Sequence, residues 1–99
     1  MSPNVHVDHV GLSDVCRRFQ VRRAALFGSV LRDDFGPTSD IDVLVEFVPG
    51  ATIGLDFITL QDELSRLFGR SVDLNTPGFL SPHFRGRILS EAVPIYEAA

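Results

Sequence analysis

The residues of this chain that could do chemistry are a pair of aspartates, a third aspartate and a glycine-serine step. Asp40 and Asp42 stand at i and i+2 at the head of an apolar, β-branched run, 41–47. Side chains alternate along a strand, so both carboxylates point to one face, with Cα atoms about 6–7 Å apart. That spacing can grip one divalent cation or bridge two. Magnesium takes hard oxygen ligands, commonly one or two carboxylates together with substrate phosphates. The plainer reading is a solvated strand end, but two like charges on one sheet face repel unless a cation sits between them. Asp73 lies between Val72 and Leu74 in another short apolar run. An acid there is costly to bury alone. It joins the other two carboxylates if its strand lies beside theirs, or it pairs with a neighbouring arginine such as Arg70. Gly28-Ser29 ends a third apolar run, where a short helix begins. Free N–H groups at such a turn, with the helix dipole behind them, suit a phosphate. Glycine lets the ligand close on the backbone, and the serine hydroxyl adds a hydrogen bond. Alone, a Gly-Ser step is more often an ordinary turn.

Taken together the pieces form G-S-x10-D-x-D, with ten residues between Ser29 and Asp40. Average composition produces that combination in roughly one chain in a thousand, so the pieces are read as one constellation. The elements that must position it follow from periodicity. Leu12, Val15, Cys16 and Phe19 give residues 9–20 one apolar helical face. The run 24–27 reads as a buried strand, 29–33 as a short helix, and 35–39 as a loop by its turn residues. Residues 41–47 form the strongest strand, stopped by Pro49 and Gly50. Phe57, Leu60, Leu64, Leu67 and Phe68 share a helical face, with Gly69 placed to terminate it. A third strand covers 71–74. Ser81 and Pro82 start a last helix whose buried side is Phe84, Ile88 and Leu89, and 93–96 closes as a short strand. The order α-β-α-β-α-β-α-β predicts an α/β (α+β) fold, a small mixed sheet packed against helices.

Composition narrows the function. The chain has 99 residues, 44% of them hydrophobic and 22% charged, which suits a single domain over 1–99 with residues 1–8 as a loose leader. All nine basic residues are arginine, so lysine-based phosphate binding, Schiff-base chemistry and lysine general bases are excluded. A net charge of −4 argues against nucleic acid as a direct partner, since such binding draws on cationic side chains. One cysteine excludes an internal disulfide. No apolar run nears the ~20 residues that span a bilayer, and no signal peptide is visible, so no membrane role and a cytoplasmic location are expected.

The stretch LFGSVLRDDFGPTSDIDVLVEF closely resembles the signature of the polymerase β-like nucleotidyltransferases. More narrowly, with FGRSVDLNTP and ILSEAVPIYE, it resembles their minimal members, the MNT antitoxins paired with HEPN toxins. The likeness spans about residues 12–97 and implies the polymerase β-like fold. It implies that Gly28 and Ser29 hold the β- and γ-phosphates of ATP. It further implies that Asp40, Asp42 and Asp73 are catalytic and ligate two Mg2+ ions, and that Asp73 can receive the proton of the attacking hydroxyl. AMP would pass to a hydroxyl, typically a tyrosine, of a HEPN ribonuclease toxin and neutralise it. The family often carries arginine at the position of Arg32. Two readings of it stay open, contact with a phosphate or an ion pair with Asp33 or Asp34.

Two other functions fit the same residues. A non-catalytic antitoxin would block its partner sterically, and an aminoglycoside-type transferase would find its second domain on another chain. A chain of this length leaves little room for an acceptor-binding domain, so a second protein is expected to bring the acceptor. Several residues are set aside. His6 and His9 read as solvated, Cys16 as core packing, Glu46 as a surface acid and Tyr96 as a packed tail aromatic. Arg17, Arg18, Arg22 and Arg23 read first as a solvated face and second as a partner surface.

Overall fold

In a computed structural model, which describes residues 5–33 and 35–98, four strands form one mixed sheet in the order β3-β2-β1-β4. The strands are β1 (Val21–Phe27), β2 (Ile41–Phe47), β3 (Val72–Asn75) and β4 (Val93–Glu97). Strand β1 runs antiparallel to β2 and β4, and β3 runs parallel to β2. Helices α1 (His9–Arg18) and α2 (Asp56–Phe68) cover one face, and α3 (Pro82–Glu91) lies over part of the other.

Alternation along β2 decides which side each layer takes. Ile41, Val43 and Val45 are fully buried against Leu12, Cys16, Leu60 and Leu64 of α1 and α2. Asp42, Leu44 and Glu46 therefore look the other way, where Leu44 packs with Phe27 and Leu80, and Ile88 of α3 leans on them. Asp8 caps α1 by accepting from the Gly11 N–H at 3.1 Å, and Val7 is buried, so 5–8 are tied to the core. The expected end of α2 is observed: Gly69 adopts φ +69°, the left-handed conformation that a Cβ disfavours.

Three expectations shift. Helix α1 stops at Arg18, and β1 is three residues longer than its apolar run, because Arg22 and Arg23 extend it while pairing with Glu46 and Glu97 at 3.0 and 3.7 Å. The buried side assigned to the last helix is a misreading. Phe84 and Leu89 are 59% and 43% exposed, and Ile88 alone of the three is half-buried. Periodicity marked three apolar positions, but of these only Ile88 reaches the sheet, where it packs on Phe27, Leu44 and Leu80.

The outer edge of β3 is closed by side chains of α2. Ser65 Oγ accepts from the Val72 N–H at 3.0 Å, and Gln61 Oε1 accepts from the Leu74 N–H at 3.0 Å. Spacing of four on the helix matches spacing of two on the strand, since both advance about 6 Å. No helix among the described residues is long and apolar enough to cross a membrane.

Candidate active site

Strand β1 ends at Phe27, whose register partner is Asp42. The chain must then leave the sheet without striking that carboxyl group. Gly28 does so at φ +73°, and a Cβ on it would collide with Asp42 Oδ2 and lie 3.2 Å from Cγ. Two constraints, backbone hand and space, thus converge on glycine. Gly28–Leu31 forms a 3-10 turn anchored by Val30, which is fully buried. The Arg32 N–H closes the turn on the Ser29 carbonyl at 2.9 Å, leaving Arg32 exposed at its exit.

Beneath this turn the aspartates gather. Parallel pairing sets Asp73 directly beside Asp42, so both side chains stand on the same sheet face. Their carboxyl groups lie within hydrogen-bonding reach of each other. Burial, first, and then the Asp73 charge, hydrogen bonding with Asp73 and the Asp40 charge push the Asp42 carboxyl up to about 6. The Ser29 backbone N–H donates to Asp42 and works against the rise. Asp40, exposed at the head of β2, acts on Asp42 through its charge.

The alternative partner for Asp73 is overturned. Arg70 sends its guanidinium to the Gly36 and Ser39 carbonyls and stacks over the Phe35 ring, 4.4 Å from its centroid. It clamps the loop that delivers Asp40, a role that composition and spacing did not reveal because the acceptors are main-chain carbonyls 31 and 34 residues away. Asp34 lies outside the described residues.

The donor set fits a divalent cation. It consists of hard carboxylate oxygens, one of them held reluctant to ionise by burial first and by its acidic neighbours second, and a cation would offset both. Among the described residues no three acid, histidine or cysteine side chains stand close enough together to hold a metal ion, so the expected convergence of Asp40, Asp42 and Asp73 is reduced to the close Asp42–Asp73 pair with Asp40 acting through its charge. The residues set aside stay apart from this chemistry. His6 and His9 are exposed, Cys16 is buried among α1 contacts with its thiol pushed up to about 12 by burial, and Tyr96 packs on the core. Glu46 is half-buried rather than exposed, and Arg18 bonds Asp14 and Glu63, each at 3.2 Å.

The nucleotidyltransferase domain family matches residues 11–95. A Methanocaldococcus jannaschii protein assigned as a protein adenylyltransferase is 44% identical over 75 residues, 76% of this chain and 80% of that protein. Protein adenylyltransferase MntA of Thermococcus cleftensis is 37% identical over 76 residues, 77% of this chain and 76% of its own length. The solved structure of a minimal nucleotidyltransferase superposes with a TM-score of 0.72 at 36% identity, covering 87% of each chain. A toxin–antitoxin crystal structure with AMP-PNP shares the fold at TM-score 0.71 and 17% identity, over 93% of this chain and 75% of that one. So does a chain from the complex of tri-AMPylated Shewanella oneidensis HEPN toxin with MNT antitoxin, at TM-score 0.62 and 17% identity, over 91% and 70%. A match that takes in the turn, all three aspartates and nearly every element around them means that this chain belongs to the nucleotidyltransferase domain family.

Proposed function

We propose that this nucleotidyltransferase is a Mg2+-dependent protein adenylyltransferase that moves AMP from ATP onto a hydroxyl of a HEPN-family toxin and so acts as its antitoxin. The observation that carries the reading is the Asp42–Asp73 carboxyl pair, in register and in contact under the Gly28 turn. Relatives at 44% and 37% identity bear the adenylyltransferase name, and the toxin–antitoxin complexes share the fold.

In this reading Ser29 serves twice. Its N–H orients Asp42, and its hydroxyl reaches a phosphate oxygen of the triphosphate. Gly28 lets that phosphate close on the backbone, and Arg32 adds positive charge at the exit of the turn. Mg2+ held by Asp40, Asp42 and Asp73 would neutralise phosphate charge and stabilise the entering and leaving oxygens. Asp73, which is exposed beside Asp42, would take the proton of the attacking hydroxyl. Little covalent work falls on the protein, which fixes charge and geometry.

Labelled ATP, Mg2+ and a purified HEPN-family toxin that binds this chain test the reading. Label should reach the toxin and vanish with the Asp40→Ala, Asp42→Ala double variant. An unlabelled toxin would refute it. Protection of cells by the double variant would instead favour steric inhibition.

A further inference from the structure

The main chain on both sides of Asp40 is held by one dipeptide. Before it, the Ser39 carbonyl accepts from the Arg70 guanidinium at 2.6 Å. After it, the Ile41 N–H donates to the Ser71 carbonyl at 2.9 Å. Two residues beyond Ser71 the same segment delivers Asp73, the register partner of Asp42. Arg70 and Ser71 therefore fix Asp40 with reference to the strand that carries its acidic neighbour.

Arg70 is itself fixed. Its N–H closes the end of α2 on the Ser65 carbonyl at 3.2 Å, and its half-buried guanidinium lies over the Phe35 ring, 4.4 Å from the centroid. The Nη2 that meets Ser39 also donates to the Gly36 carbonyl at 2.5 Å. Between these acceptors the loop turns, closed by the Ser39 N–H on the Gly36 carbonyl and by the Gly36 N–H on Ser39 Oγ, each at 3.1 Å. One guanidinium nitrogen thus ties both ends of the 36–39 turn. Its donors go to carbonyls rather than to a carboxylate, so neutralising an acid is not their work.

Asp40 gives the clamp a purpose. It stands outside the close Asp42–Asp73 pair and acts on it through charge. To ligate a cation together with that pair it must turn its side chain inward. With its main chain held on both sides, side-chain rotation suffices. On a free loop the cation would also have to order backbone, at about tenfold in affinity per residue.

We infer that Arg70 is a positioning residue for metal binding: its clamp on the 36–39 turn holds Asp40 where a divalent cation can recruit it to Asp42 and Asp73. The inference rests on the Mg2+-dependent reading of the site. It carries a sign that charge alone would reverse. A guanidinium repels a cation, so removing it as a charge would tighten metal binding, whereas removing it as a clamp weakens it.

The test follows Mn2+, added alone, by water-proton relaxation at a temperature where each variant is folded. Arg70→Met keeps the stem over Phe35 and removes the donors. It should bind Mn2+ about tenfold more weakly. The Mg2+ KM for AMP transfer should rise likewise, with kcat at saturating Mg2+ near wild type. Arg70→Lys returns donors and should recover part of the affinity. Arg66→Ala removes another arginine of α2, one paired with Glu63, and should match the wild type. Added to Asp40→Asn, Arg70→Met should change Mn2+ affinity by less than about twofold, because the clamp acts through Asp40. If Arg70→Met does not fold, Phe35→Leu decides: it keeps every charge, removes the stacked ring and should weaken Mn2+ in the same direction. Unchanged or tighter Mn2+ binding in the folded variants, or an equal loss in the Asp40→Asn background, overturns the clamp. A wild type that binds Mn2+ but transfers no AMP refutes the adenylyltransferase reading, while the affinities still judge Arg70. A wild type that binds no Mn2+ refutes the metal site and this inference together.

Discussion

Replacing Gly28 with alanine should damage this protein in two separable ways, and Gly69→Ala isolates one of them. Both glycines hold left-handed backbone, φ +73° and +69°. An L residue there costs about 1–2 kcal/mol. For a domain of this size each kcal/mol lowers Tm by about 4–8 °C, so both variants should melt roughly 4–16 °C below wild type. Space separates them. A Cβ at position 69 meets nothing within 4 Å, whereas one at position 28 runs into the Asp42 carboxylate. That carboxylate must retreat by about 1 Å to reach ordinary contact, and a displacement of that size at a reacting centre costs about 10²-fold in rate. AMP transfer, measured with labelled ATP below both melting temperatures, should therefore be near wild type for Gly69→Ala and about 10²-fold lower for Gly28→Ala. Equal activity in the two variants would show that the turn does not position Asp42.

Three further outcomes follow from the same geometry. Asp42 titrates near 6 in the folded chain against an ordinary 3.8, so between those values the native state holds a proton that the unfolded chain has released. Stability from this group is fullest below about pH 4 and is lost as pH rises to about 6. In EDTA the wild type should lose more stability over that window than Asp42→Asn, and added Mg2+ should raise Tm more at pH 7.5 than at pH 5. Arg70→Ala removes two bonds to carbonyls and a stacked ring; urea unfolding should show a loss of about 2–3 kcal/mol, with faster amide exchange across 35–39. Cys16, buried and with its thiol near 12, should resist Ellman's reagent in the native chain and react at once in urea.

Much of this architecture was legible because it is local. The stripe on α2, its glycine stop and the β-branched run of β2 each encode one element and one face. The aspartates were legible for the same reason: an i, i+2 spacing fixes their side, and only the neighbour of β2 had to be supplied. What stayed hidden depends on partners distant in sequence. Arg70 finds carbonyls, which no side-chain pattern advertises. Arg22 and Arg23 extend β1 because acids arrive across the sheet. Phe84, Ile88 and Leu89 read as one buried side, but apolar type carries no information on which of them the sheet will meet.

Helix α2 also governs how this protein can meet others. With Ser65 and Gln61 occupying the outward amides of β3, that margin offers few donors to an incoming strand. The opposite margin, β4, contains Pro94, which has no amide to give. Sheet extension from one molecule to the next is thus discouraged at both borders, so crowded copies are shielded from ribbon-like aggregation and association is left to helical and side-chain surfaces.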